Sequence, residues 1–221
     1  MPEVSLQAAA ILFDLDGVLV DSAACIEGTW RRWALHHHLD PAQVIALAHG
    51  RRATETLQLV APHLPAETEL AALAASESSA RDGILEIAGA REMLQHLPPG
   101  TWGIVTSGIR EAAIFRLRHT GLPVPEVLVC ADEIQQGKPD PEGYLTAARQ
   151  LGVSPNACVV VEDAPAGLEA ARAAGMRSIA VSGTYTRDRL SMADYTIPYL
   201  SAMRVTAANN DTLIEIRLAP D

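Results

Sequence analysis

Positive charge is scarce in this sequence, and what there is comes almost wholly from arginine. Seventeen Lys and Arg stand against 27 Asp and Glu, a formal charge of -10, and Lys138 is the single lysine among 221 residues. Nucleic acid and anionic membrane both reward patches of Lys and Arg, so neither is expected as the main partner. An anion bound by so acidic a chain needs a positive site built for it. Cysteine is nearly as rare. Cys25, Cys130 and Cys158 are too few and too scattered for a disulfide framework or a Cys-rich zinc site. Cys130 and Cys158 lie in or beside apolar runs and are expected as buried free thiols, in keeping with a reducing compartment. No apolar run is long enough to span a membrane, and "MPEVSLQAAAILF" carries no basic leader. A cytoplasmic location is therefore expected, with a monomer as the default state. Aromatics make up only 4%, so the core is expected to be largely aliphatic.

What the chain does contain is an alternation of short apolar runs and longer helical patterns. The first run, residues 8–13, ends at Asp14 and reads as a buried strand. Four helical segments with polar starts and Gly or Pro breaks follow: "SAACIEGTWRRWALHHHL", "DPAQVIALAHG", "ATETLQLVAPHL" and "PAETELAALAASESSARD". From residue 88 onwards strands and helices alternate. "WGIVTS", "EVLVC", "CVVVED" and "SIAVSG" are the strands, and "REAAIFRLRHTG", "DPEGYLTAARQLG" and "APAGLEAARAAG" are helices. Such alternation implies βαβ units, hence an α/β fold with a Rossmann-like, doubly wound parallel sheet. The core is expected over residues 1–17 and 88–221, with a helical cap inserted over residues 18–87. The tail "RVTAANNDTLIEIRL" reads as a hairpin turning at Asn209, Asn210 and Asp211, a small appendage to the sheet.

Several polar groups share one expected address. Asp14 and Asp16 follow the first strand, Thr106 ends "WGIVT", Lys138 follows "EVLVC", and Glu162 and Asp163 terminate "CVVV". In an open parallel sheet the carboxyl ends of the strands line the ligand crevice. Residues two apart in an extended segment face the same side, so Asp14 and Asp16 can address one site. Carboxylates converging without a cation repel one another. Hard oxygen ligands suit Mg²⁺, which bridges to substrate phosphate. Lys138 adds a second positive charge, Thr106 a hydroxyl, and the backbone N–H groups after Asp16 and Thr106, in turns containing Gly17 and Gly108, further donors to an anion.

"DLDGVLVDS", "GIVTSG", "GKPDP" and "VVVEDAPAGLEAARAAGM" resemble, in order, the four motifs of the haloacid dehalogenase superfamily, in its phosphatase and phosphomutase branch. "LAHGRRATETL" and the tail look most like the small sugar- and polyol-phosphate phosphatases. The resemblance implies that Asp14 is a nucleophile forming an aspartyl-phosphate and that Asp16 is the general acid and base. It implies Mg²⁺ held by Asp14, the Asp16 backbone carbonyl and Asp163, with Glu162 behind them. Thr106, Ser107 and Lys138 would hold the phosphoryl group of a small phosphorylated metabolite. Gly50 and Arg51 would belong to a cap loop reaching over the site, with Arg52 beside them. Val18 stands where phosphatases often carry Thr and mutases can carry Val. Ile26 stands where the mutases carry a cap-side histidine, and this favours hydrolysis. A sugar phosphomutase and a non-catalytic binding protein are the alternatives.

Two tempting patterns are read structurally. His36, His37 and His38 point in different directions on a helix and cannot form one metal site. Trp30 and Trp33, three apart, are expected to pack in the core of the cap.

Overall fold

The computed structural model describes residues 4–48, 50–79, 83–208 and 213–219. Six parallel strands form the central sheet: β2 (Ala10–Phe13), β5 (Trp102–Val105), β6 (Val127–Val129), β7 (Cys158–Glu162), β8 (Arg177–Val181) and β9 (Tyr195–Ile197), in the order β6-β5-β2-β7-β8-β9. The order runs one way from β2 through β5 to β6 and the other way from β7 to β9. That reversal opens a crevice beside the carboxyl end of β2.

Strands β2 and β7 are buried along their whole length because both faces of the sheet are covered. Ile11 and Phe13 pack on one side with Leu117 of α6 (Arg110–Thr120) and Met93 and Leu94 of α5 (Ala90–Gln95). Ala10 and Leu12 face the other side, with Tyr144 and Ala147 of α7 (Glu142–Gln150) and Ala170 of α8 (Pro165–Ala173). Helix α6 ends at Gly121, whose left-handed backbone (φ 69°) closes the last turn. All three cysteines are buried free thiols.

The helical insert contains α1 (Ala23–His36), α2 (Pro41–Ala48), α3 (Ala53–Val60) and α4 (Ala66–Ser79). Its chain enters and leaves through a two-stranded ribbon in which β3 (Val20–Asp21) pairs antiparallel with β4 (Leu85–Glu86). Trp30, Trp33, Ala34, Val44, Leu57 and Leu73 form a hydrophobic cluster of their own. Trp33 Nε1 donates to Glu69 Oε2 at 2.7 Å, and His37 Nε2 meets the same oxygen at 2.9 Å. The histidine run thus ends in a structural hydrogen bond. Val18, Leu19, Val20 and Cys25 pack instead into the main core beside the sheet.

Two local readings change. The run over residues 8–13 is split at Ala9: β1 (Val4–Ala8) leaves the central sheet, and only β2 stays in it. The C-terminal strands β10 (Met203–Ala208) and β11 (Leu213–Leu218) do pair antiparallel, and the proposed turn at Asn209, Asn210 and Asp211 lies outside the described residues. They are more than an appendage, because β1 joins β11 to make a separate three-stranded sheet. Its alternating face (Leu6, Ala8, Val205, Ile214, Ile216, Leu218) fills the main core.

Candidate active site

Every expected polar group of the sheet arrives at the same end. Asp14 follows β2 and its backbone N–H donates to Val161 O at 2.9 Å, which locks it beside β7. Its side chain is buried, and Lys138 Nζ lies 2.5 Å from Oδ1. Among the described residues no donor reaches its other oxygen. Burial, opposed by Lys138 and reinforced by the charges of Glu162 and Asp16, pushes the Asp14 carboxyl up to about 7. Burial, again the first cause, with Glu162 and Asp14 behind it, holds Asp163 well above the usual carboxylate range. Burial alone would lower Lys138, but Asp14 and Glu162 pull it well above the ordinary lysine range.

Glu162 is the organiser of this cluster. Its Oε1 accepts from Lys138 Nζ at 2.6 Å and from Tyr144 OH at 3.1 Å, while Oε2 accepts from the backbone N–H groups of Asp163 and Ala164, each at 2.9 Å. Four donors leave it little capacity for anything else. It anchors the lysine and shapes the turn into α8. Oxygens of Asp14, Glu162 and Asp163 lie within 4.8 Å of one another, a spacing that can hold a cation. Because Glu162 is already saturated, Asp14 and Asp163 are the oxygens with capacity to spare.

Two glycines make room for these acids. A Cβ on Gly17, whose φ is +86°, would sit 2.0 Å from Asp163 Oδ2, and one on Gly167 would sit 1.6 Å from Glu162 Oε1. Gly167→Ala is therefore expected to displace Glu162 and with it Lys138. The expected cost is about 1–3 kcal/mol from steric overlap in a packed site, read by urea unfolding. A change below 0.5 kcal/mol, about the scatter of neutral surface substitutions, would contradict the close approach.

Thr106 is buried at the end of β5, and its Oγ1 accepts from Gly108 N–H at 3.0 Å, so the hydroxyl proton is left for an acceptor. Gly17 N–H donates to Val20 O, so of the backbone N–H groups in the turns after Asp16 and Thr106, those of Gly17 and Gly108 are engaged within their own turns. Ser107 Oγ donates to Gly50 O at 3.1 Å, which brings the insert's Gly50 over the sheet end. Arg51 is exposed and its Nη1 donates to Leu47 O at 3.1 Å. Arg52 has a different task. Its Nη1 and Nη2 donate to Ile134 O and Gln135 O, and it pairs with Glu55, which itself accepts from Gly137 N–H. This latch seats α3 on the loop that carries Lys138.

Asp16 occupies a separate position. Its carboxylate accepts from Arg116 Nη1 at 2.9 Å and from Ser22 Oγ at 2.5 Å. Arg116, Tyr144 and Glu77 were not singled out by sequence. Each sits inside a helix of ordinary polar and apolar texture, and only Tyr144, six residues beyond the lysine of "GKPDPEGY", lay near a motif.

The haloacid dehalogenase-like hydrolase family matches residues 11–181. Hexitol phosphatase A of Escherichia coli (strain K12) is 40% identical over 220 residues, covering 95% of this chain and 100% of the relative. Glycerol-1-phosphate phosphohydrolase 2 of Saccharomyces cerevisiae is 33% identical over 95% of this chain and 89% of its own length. A hydrolase from Pseudomonas syringae superposes with a TM-score of 0.78 at 25% identity, covering 86% of this chain and 94% of that one. With acids, hydroxyl and lysine gathered where β2 meets its neighbours, and with a match of that extent, the chain belongs to the haloacid dehalogenase-like hydrolases.

Proposed function

We propose that this protein is a Mg²⁺-dependent phosphatase of small phosphorylated sugars or polyols, working through an aspartyl-phosphate on Asp14. The observation that carries the reading is the Asp14 carboxylate. It is buried at the sheet end with one oxygen held 2.5 Å from the only lysine and the other without a donor among the described residues. In the reaction, that other oxygen of Asp14 attacks phosphorus and the bond from phosphorus to the leaving alkoxide breaks in line. A covalent intermediate divides one difficult transfer into two easier ones. Asp16 delivers a proton to the departing alkoxide and then takes one from the water that attacks the aspartyl-phosphate. Lys138 offsets the phosphoryl charge, and the Thr106 hydroxyl donates to a phosphoryl oxygen. Ser107 and Gly50 tie the insert to this end of the sheet, and Arg51, next to Gly50 in the chain, would meet the substrate from the insert's side. A seated insert excludes bulk water and large substrates, in favour of metabolites.

The residues fit a divalent cation. The Asp14 and Asp163 carboxyls are raised above their ordinary range first by burial and then by neighbouring carboxylates, a cluster that a bound cation would relieve, and all the donors are hard oxygens, the set Mg²⁺ prefers. Asp14, Asp163 and the Asp16 backbone carbonyl would hold it. Bound there, Mg²⁺ would neutralise phosphoryl charge and favour the ionised nucleophile. Millimolar Mg²⁺ is expected to raise the melting temperature. At a hundredfold excess over Kd the stabilisation is about 2.7 kcal/mol, or several degrees for a chain of this size. Asp163→Asn is expected to abolish the shift, and an undiminished shift in that variant would place the ion elsewhere.

The activity test is sustained phosphate release from a hexitol phosphate or glycerol phosphate in the presence of Mg²⁺. Many turnovers per protein support the phosphatase. Conversion of a hexose phosphate to its isomer without release would instead make the protein a mutase. No turnover on any phosphoester would leave a binding protein on this fold.

A further inference from the structure

Arg116 is the most deeply buried cation near the site that the mechanism above leaves unused. It is 3% exposed, in the middle of α6. Its Nη1 donates to Asp16 Oδ2 and its Nη2 to Glu77 Oε2, both at 2.9 Å. The two carboxylates come from different parts of the molecule: Asp16 follows β2 of the sheet, whereas Glu77 lies on α4 of the insert. The other oxygen of Asp16, Oδ1, accepts from the hydroxyl of Ser22, just before α1.

We propose that Arg116 is a positioning residue for Asp16, and that Glu77, through the same guanidinium, ties the aim of Asp16 to the seating of the helical insert. The two oxygens of Asp16 then have unequal duties. Oδ2 can keep its bond from Arg116 whether or not the carboxyl carries a proton, because a carbonyl-type oxygen accepts in both states. Oδ1 can change state, because a serine hydroxyl turns from donor to acceptor by rotating its proton. Oδ2 is the anchored oxygen and Oδ1 the working one. A lone carboxylate on a turn has several rotamers, and a misplacement of about 1 Å can cost a hundredfold in rate. One buried guanidinium shared with a second carboxylate removes that freedom. It also balances charge, since Glu77 keeps Arg116 paired when Asp16 is protonated, and an unpaired buried charge is costly. The insert need not touch the substrate to influence proton transfer, because its helix α4 holds the residue that holds Asp16.

The inference rests on the acid–base reading of Asp16, and the test separates the two. Compare kcat/KM on a hexitol phosphate, whose alkoxide needs a proton to leave, with kcat/KM on p-nitrophenyl phosphate, whose phenolate does not. Asp16→Asn serves as reference. Arg116→Gln is expected to lower the hexitol phosphate value by about tenfold or more and the aryl phosphate value by less than about threefold. Glu77→Gln retains the guanidinium and an accepting oxygen, and is expected to lower the hexitol phosphate value alone, by about threefold. It decides the matter if Arg116→Gln does not fold, as judged by circular dichroism. If Asp16→Asn is selective for the alkyl substrate while both other variants affect the two substrates alike, or not at all, the positioning role is overturned. If Asp16→Asn itself lowers both equally, the acid–base reading fails and this inference with it.

Discussion

Asp14→Asn is expected to reduce phosphate release by at least about a thousandfold, because the amide cannot form the aspartyl-phosphate on which the proposed reaction depends. The same change is expected to make the metal-free protein more stable. Asp14, Glu162 and Asp163 place three acids around one lysine in a buried cluster, and the amide removes one negative charge while keeping an oxygen for Lys138. The pH dependence has a definite sign. Asp14 is raised from 3.8 to about 7, so between those values the folded protein holds a proton that the unfolded chain has released. Stability therefore falls as pH rises through that window. The wild type should lose a few kcal/mol relative to Asp14→Asn between about pH 4 and 7, and Mg²⁺ should restore part of it. Urea unfolding of both proteins at several pH values measures this. A wild type that gains stability relative to the variant as pH rises would show that Asp14 is not the strained group.

Lys138→Met should be the most damaging substitution for stability. The ammonium is buried between Asp14 and Glu162, at 2.5 and 2.6 Å, with the Tyr144 ring 5.2 Å away. Removing one partner of a buried ion pair while the other stays costs about 3–5 kcal/mol. Protonation of Asp14 offers an escape at low pH, so the loss should be greater above pH 7 than at pH 5. Phosphate release should fall by about a hundredfold or more from the loss of the charge facing the phosphoryl group. A variant that unfolds at the wild-type urea concentration and still turns over would remove Lys138 from the site altogether.

Much of this was legible from local pattern. Asp14, Thr106 and Asp163 each interrupt or end an apolar run, which marks the carboxyl end of a buried strand. Lys138 is the only lysine in an acidic chain, in a loop after such a strand. Gly121 announced the end of α6, and Trp30 and Trp33 the core of the insert. Other elements had no local signature. β3, β4 and β9 are two or three residues long and exist only because a partner strand lies alongside. β1 and β2 share one continuous run, and nothing in it says that the chain leaves one sheet for another at Ala9.

By itself, then, the sequence determined the alternating α/β order, the helical insert, and which strand ends carry acids, hydroxyl and lysine. These follow from periodicity and from the cost of placing charge beside apolar residues. The tertiary structure alone decided how those charges are paired. Glu162 turned out to be saturated by four donors, Gly17 and Gly108 to spend their N–H groups within their own turns, and Asp16 to rest on Arg116, a hundred residues away. Arg116 sits between Arg110 and Arg118 on one helix, and no pattern in that helix distinguishes it. Pairing depends on which helix face meets which strand end, and that is settled by packing across the whole chain.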